Sequence, residues 1–368
     1  MNKNKLLTFS KSIKDFRLDR RKLHPVENIV FITILAVICG AQNWEEIEDF
    51  GNARFDFFSK YLDLKNGVPS HDTFNRFFSL YDPKSFQTIF VEWLSSLIHV
   101  KEKHIAIDGK ACRGSRKKSG KMLHLLNAYL TDDCSFLGQE KTDQKSNEIT
   151  AIPKLLEVLD LQDALVSIDA MGCQKEIAKQ IVTQKGAYLL AVKDNQKTLY
   201  EDIKSAFRVY KKEETTYFEV QEINGSRVEK RICRLMADLS HIEQADQWED
   251  LKTYIEIETE VYHKSSQKTT RDKRHYISSQ LNTPEYFLKA TRNHWLIENK
   301  LHWSLDVIFE EDQSRKRIKN ATENFSIILK TALKLMQEKQ KMNKKISIKR
   351  MRKMAAWNLD YLLELLNF

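Results

Sequence analysis

"HIAIDGKACRGS", residues 104–115, is the stretch on which the fold turns. Ile105, Ala106 and Ile107 lead into Asp108, and a run this short and apolar reads as a strand. Gly109, Lys110, Arg113 and Gly114 follow, and a glycine-flanked basic segment reads as a loop. An acid at the carboxyl end of a strand stands where open α/β sheets receive their ligands. Taken alone, Asp108 could equally do no more than cap the turn behind it.

A second strand ends the same way. "ALVSIDA", residues 164–170, is a near-continuous apolar run, as in a strand covered on both faces, and it closes on Asp169. If the two strands are parallel neighbours, both carboxylates leave the sheet at one edge. Their repulsion there favours a proton or a cation. Carboxylates and water are the ligand set of Mg²⁺ or Mn²⁺. The surrounding order is strand, strand, strand, helix, strand, helix, strand. Its parts are "HIAID", a hairpin of "KMLHLLNAYL" and "CSFLGQEKT", "EITAIPKLLEVLD" with Pro153 in its first turn, "ALVSIDA", "QKEIAKQIVTQKG" and "AYLLAV". That pattern is a mixed α/β sheet flanked by helices.

A third carboxylate is expected from "RNHWLIENKLHWSLD", residues 292–306. His294, Glu298, His302 and Asp306 recur every four residues, so a helix sets them on neighbouring turns of one face. Glu298 on such a helix can lie across the sheet edge. The plainer alternative is a surface carboxylate paired with His302. A zinc helix is a further alternative, although the spacing is not H-E-x-x-H.

The rest of the chain frames this core. Residues 1–100 read as helical. "NIVFITILAVICGA", residues 28–41, is apolar nearly all round and too short for a bilayer, which needs about 20 residues. It is read as a buried helix stopped by Gly40. "NGVPSHDTFNRFFSLYDP" places Thr73, Asn75 and Arg76 on the second helix of a pair. This resembles a helix-turn-helix, or a plain hairpin burying Phe74, Phe77 and Phe78. Residues 101–205 form the first part of the core, and residues 206–279 a β-rich insertion with a hairpin at Asn224-Gly225. Residues 280–330 complete the core, and residues 331–368 are a basic helical segment.

Charge and cysteine usage narrow the function. The net charge of +9 is concentrated: residues 316–353 hold 13 Lys and Arg against Glu323 and Glu338. A block of this kind points to a polyanionic partner or to a solvated basic helix. Cys39, Cys112, Cys134, Cys173 and Cys233 are scattered with no C-x-x-C pair, which fits a reducing cytosol. No Walker-type glycine loop is present, which disfavours a small-molecule phosphotransferase.

These segments carry a resemblance. "AIDGKACRGS", "KSNEITAIPKLLEVLD", "SIDAMGCQKEIA", "YLLAVKDNQ", "RHYISS", "HWLIENKLHWSLDVIFEEDQSR", "NWEEIEDF" and "NGVPSHDTFNRFF" look like the H-repeat-associated transposases of bacterial insertion sequences. The likeness runs from about residue 20 to the end. It implies an RNase H-like core of the DDE type, with Asp108, Asp169 and Glu298 as the catalytic and metal-binding triad. Two Mg²⁺ or Mn²⁺ ions, DNA end cleavage and strand transfer are implied with it. So are double-stranded DNA as partner (terminal inverted repeats and target), a dimer on DNA, and a cytoplasmic, nucleoid-associated location with no membrane. Many related transposases place Tyr, Arg and Lys around the glutamate. Here those positions are Thr291, His294 and Leu305. Phosphate contacts are therefore expected from His294, Asn299, Lys300 and His302. Lys110 and Arg113, in the loop after Asp108, are further candidates unless that loop is simply exposed and basic, and Lys193 and Asn195 at the end of the next strand are DNA-contact candidates as well. Two other readings stand beside it: an inactive or repurposed DNA-binding relative, and a structure-specific nuclease.

Overall fold

In a computed structural model of the protein, residues 5–19, 22–95, 103–116, 119–120, 122–142 and 148–366 are described. Its centre is β1 (Lys103–Cys112). Around it lie β2 (Leu123–Leu130), β3 (Ser135–Thr142), β4 (Ala164–Ile168) and β5 (Ala187–Val192). β1 is parallel to β4 and β4 to β5, while β2 and β3 form the antiparallel hairpin. The mixed sheet expected from the sequence is present.

The β-rich segment does not stand apart from it. β6 (Thr216–Asn224), β7 (Arg227–Met236), β8 (Thr253–His263) and β9 (Lys268–Ser278) continue the same sheet. β9 pairs with β5, giving nine strands in the order β3-β2-β1-β4-β5-β9-β8-β7-β6. One face is covered by α7 (Glu148–Leu156), α8 (Lys175–Thr183) and α9 (Lys197–Val209). Ile107, Val166 and Leu190 meet Ile152, Leu155, Ile177 and Ile203 there. Alternate residues Leu165 and Leu189 turn to the other face, toward Phe287 and Leu288 of α10 (Pro284–His294). Pro153 falls in the second turn of α7 and not in its first.

A third core joins the two ends of the chain. It unites α1 (Lys5–Ser12), α2 (Val26–Cys39), α3 (Trp44–Ala53), α4 (Phe55–Phe58), α5 (His71–Leu80) and α6 (Pro83–Ser95) with α11 (Ala321–Met342), α12 (Ile348–Trp357) and α13 (Leu359–Leu366). α2 is apolar all round because neighbours enclose it: residues from Val26 to Ile38 are buried almost without exception. Each fully buried Ile, Val or Leu contributes roughly 1.5–3 kcal/mol. Gly40 closes α2 at φ 117°. Phe74, Phe77 and Phe78 of α5 are core residues, and Trp44 stacks on Phe78. No single helix among the described residues is long and apolar enough to cross a membrane. The boundary read at residue 100 falls in 96–102, outside the described residues.

The basic block is corrected by this packing. Lys330 and Lys334 are buried on α11. Lys330 Nζ donates to Asn127 Oδ1 (2.6 Å) and Gln139 Oε1 (2.5 Å). Lys334 pairs with Asp133 (2.6 Å) and Glu338 (2.5 Å). Lys316 is buried against the Phe325 ring and donates to the Gln42 carbonyl. Much of the charge excess is thus consumed inside the molecule.

Candidate active site

The strand register brings the first two acids together. β1 and β4 pair in parallel up to Ile107↔Ile168, so Asp108 and Asp169 are the next residues on adjacent strands. Asp108 does not end its strand, however. Gly109, Lys110, Ala111 and Cys112 go on pairing with β2, from Gly109↔Leu126 to Cys112↔Leu123. The expected loop begins only at Arg113.

Glu298 arrives from a helix across this edge. Beyond α10 the backbone widens into two π-helical stretches, Ile297–His302 and Ser304–Ile308. Asp108, Asp169 and Glu298 line one cleft of about 460 Å³, together with Lys193, Tyr200, Arg274, His294 and Trp295. Asp169 and Glu298 are exposed, and Asp108 is about 29 % exposed.

Two rows of side chains face each other beneath the cleft. The even-numbered residues of β1 form one row, and the four-residue series of the helix forms the other. Ser167 Oγ lies between His104 Nε2 (2.8 Å) and His294 Nδ1 (2.9 Å). His302 Nδ1 stands 3.6 Å from Asp108 Oδ2. Lys110 Nζ meets Asp306 Oδ1 at 2.6 Å, Glu311 Oε2 at 3.1 Å and Asp312 Oδ1 at 3.5 Å. The four-residue row expected from the sequence therefore faces the sheet along its length.

The electrostatics follow from this crowding. Burial, then Asp169, Glu148 and Glu298, push the Asp108 carboxyl up to about 7. Burial pulls His294 down to about 4 and His302 down to about 3, and Lys110 and Lys330 add to the effect on His302. Both rings are neutral near pH 7. The tautomer of His302 can be worked out. Lys330 is donor-only, so it fixes Asn127 Oδ1 as acceptor. The Asn127 amide nitrogen then faces His302 Nε2 at 3.3 Å, which must accept. The single ring hydrogen sits on Nδ1, directed at Asp108.

The predicted contact residues divide. Lys193 is exposed in the cleft. Arg113 is exposed on its turn. Asn299 and Lys300 are exposed on the π-helical segment, Asn299 facing a neighbouring groove under the β6–β9 strands. Asn195 donates to the Ala170 carbonyl at 2.6 Å and braces the turn after Asp169. His294 and His302 are committed to Ser167 and Asn127. Lys110 is corrected outright: it is a strand residue 6 % exposed, closed off by three carboxylates. Asp169 also caps the turn behind it, since its Oδ1 accepts from Met171 N (3.1 Å) and Gly172 N (3.4 Å).

Sequence reasoning missed Glu148. It is buried, and a Cβ on Gly109 would lie 2.3 Å from its Oε1. Gly109 thus lets a fourth carboxylate approach Asp108 from the α7 side. An acid at the head of an apolar helix was the available signal. His104 and Ser167, inside apolar strand runs, carried a similar one.

The donor set suits divalent metal. It offers hard oxygen ligands in an open cleft, and a cation relieves the repulsion that holds the Asp108 proton. Among the described residues no three His, Cys, Asp or Glu side chains enclose an ion unaided. Water or phosphate oxygens would complete the shell.

A mixed sheet with two acids in register and a third on a crossing helix can gather hard oxygen ligands around divalent metal at one sheet edge. Comparison with known proteins makes this specific. Residues 99–335 match the transposase DDE domain family, and residues 7–94 match the DDE_Tnp_1-associated family. "Putative transposase YncI" of Escherichia coli O157:H7 is 40% identical over 376 residues, covering 100% of this chain and 95% of that protein. "H repeat-associated putative transposase YhhI" of Escherichia coli K12 is 37% identical, covering 100% and 98%. The chain belongs to the DDE transposase family, and its sheet is an RNase H-like core. Divalent metal use is implied by that family.

Proposed function

We propose that the protein cuts DNA at the ends of an insertion sequence and joins them to a target, using Mg²⁺ or Mn²⁺. One observation carries the reading: Asp108, Asp169 and Glu298, from positions 61 and 190 residues beyond the first, line a single cleft. Two divalent ions held there would activate the attacking water or 3′-hydroxyl and stabilise the leaving oxygen of an in-line displacement. Asp108, which feels both Asp169 and Glu298, would hold the ions together with those two carboxylates. His302, its Nδ1 3.6 Å from Asp108 Oδ2, borders that carboxylate. Asp169 is held by two backbone N–H groups through one oxygen, leaving the other to face the cleft. Lys193, beside the acids, is placed to meet phosphate.

The N-terminal helices would recognise the element's terminal inverted repeats. Two ends must be paired, so the protein would act as a dimer on DNA, at the nucleoid in the cytoplasm. The test is direct: purified protein, Mg²⁺ and a labelled element end should give nicking and strand transfer. Asp108→Ala should reduce both to background. A variant that cuts as well as the parent refutes the reading, and hydrolysis without joining identifies a nuclease instead.

A further inference from the structure

The 13 cations of residues 316–353 sort into two groups. Lys316, Lys330 and Lys334 are buried. Lys339 and Lys341 pair with Glu364 and with Asp133 and Glu338. Arg317 donates to the Gly114 carbonyl. Arg352 turns inward, donating to the Ile308 and Val37 carbonyls over the Phe309 ring. What remains is concentrated: apart from Lys319, exposed ahead of α11, the other five, Lys344, Lys345, Lys349, Arg350 and Lys353, are exposed together. Between Glu338 and Asp360 the chain has no acidic residue.

Three of these cations share a face of α12 with an aromatic ring. Lys349, Lys353 and Trp357 are spaced by four, and Arg350 borders them. Trp357 is 76 % exposed. The opposite stripe of α12, Ile348, Met351 and Ala355, is buried in the core. The outward face is thus on a fixed helix, and Arg352 ties that helix to the end of the segment bearing Glu298. The whole of it lies beyond residue 335, outside both family matches.

We infer that this face of α12 is a DNA-backbone contact, with Lys349, Arg350 and Lys353 on phosphates and Trp357 packing against a sugar or base. Charge complementarity selects the occupant. A second copy docked across a two-fold axis would set these cations against themselves. A membrane-surface helix needs a free apolar face, and the apolar face of α12 is already occupied. A rigid row of cations with one exposed ring fits a polyanion that also offers flat surfaces. The inference deepens the proposed DNA function.

The test uses the full chain carrying Asp108→Ala, without divalent metal, so cleavage plays no part. Binding of a labelled duplex of arbitrary sequence is followed by anisotropy at several salt concentrations. Replacing Lys349, Arg350 and Lys353 together by Ala should lower the slope of log K against log salt by about 2.7, at about 0.9 per phosphate contact. Trp357→Ala should weaken binding about tenfold with the slope unchanged. A matched loss of charge on α7, α8 and the turn after α8, Lys154, Lys179 and Lys185 to Ala, should leave the slope near the parent's. Equal slopes for the two triple variants overturn the proposal. So does binding to phosphatidylglycerol vesicles that depends on the α12 cations while duplex binding does not. A failed cleavage assay with these slopes intact counts against the transposase chemistry alone.

Discussion

Replacing Lys110 by Met removes the cation from the most enclosed ion cluster near the site. Its ammonium is 2.6 Å from Asp306 and 3.1 Å from Glu311, and Glu311 is only 5 % exposed. Glu311 also accepts from Ser326 Oγ at 2.7 Å, so it cannot swing out to water without a further loss. Breaking a buried pair by removing one partner costs about 3–5 kcal/mol, because a charge is left uncompensated. For a chain of this length unfolding in one transition, that corresponds to roughly 4–6 °C in Tm. The cluster also pins the helix carrying Glu298 to the strand carrying Asp108, so cleavage should fall more than binding does. Calorimetry and single-turnover cleavage below the transition measure the two effects. Adding Asp306→Asn and Glu311→Gln to Lys110→Met should recover much of the stability, since the two nearest stranded charges are gone and Asp312 keeps Arg113 as a partner. A single variant losing less than about 1 kcal/mol, or a triple variant no more stable than the single, refutes the electrostatic account.

The other predictions concern protons, metal and close packing. His104, His294 and His302 are held at about 3, 4 and 3 when folded, against an unfolded value of about 6.5. The unfolded chain therefore binds more protons below pH 6.5, and stability should fall as pH drops toward 4. Asp108, raised to about 7, Glu323, raised to about 6, and Asp306, also raised, act the other way over part of that range, but the three larger histidine shifts outweigh them; an acid-stable melting profile would contradict this. Because the Asp108 proton must leave before metal binds, Mg²⁺ should raise Tm more at pH 8 than at pH 6, an increment that vanishes in Asp108→Asn. Gly109→Ala should destabilise the fold and impair cleavage through Glu148, and adding Glu148→Ala should restore folding, as read by urea denaturation. Lys330→Met should free the Asn127 amide and raise the Mg²⁺ concentration for half-maximal activity by tenfold or more, as expected of an outer-shell partner.

The two acid-bearing strands were legible because burial on both faces leaves a continuous apolar run, and such runs make parallel neighbours. Asp169 and Glu298 were found for the same reason, as charges at the limits of otherwise apolar or aromatic segments. Lys110 was misread because its partners lie 196 to 202 residues away, and nothing local distinguishes a buried lysine from one in a basic loop. The same blindness inflated the basic block: Lys330 and Lys334 count as surface charge until Asn127, Gln139 and Asp133 are brought against them. The continuation of the sheet from β5 into β9 was hidden because strand order is not written in strand pattern.

The widened helix has a consequence for chain length. In an α-helix a step of four residues overshoots a full turn by about 40°. From His294 to Asp306 a straight α-helix would drift by roughly 120°, turning Asp306 away from Lys110. A π turn takes more than four residues, so the same step falls short and winds the row back. The alignment of His294, Glu298, His302 and Asp306 is therefore stored in the residue count of 297–308. Removing any one residue from 297 to 305, however innocuous its side chain, would let the segment tighten and shift the later members of the row off their partners. Substitutions should be tolerated at its exposed positions, while single-codon deletions from 297 to 305 should not be tolerated.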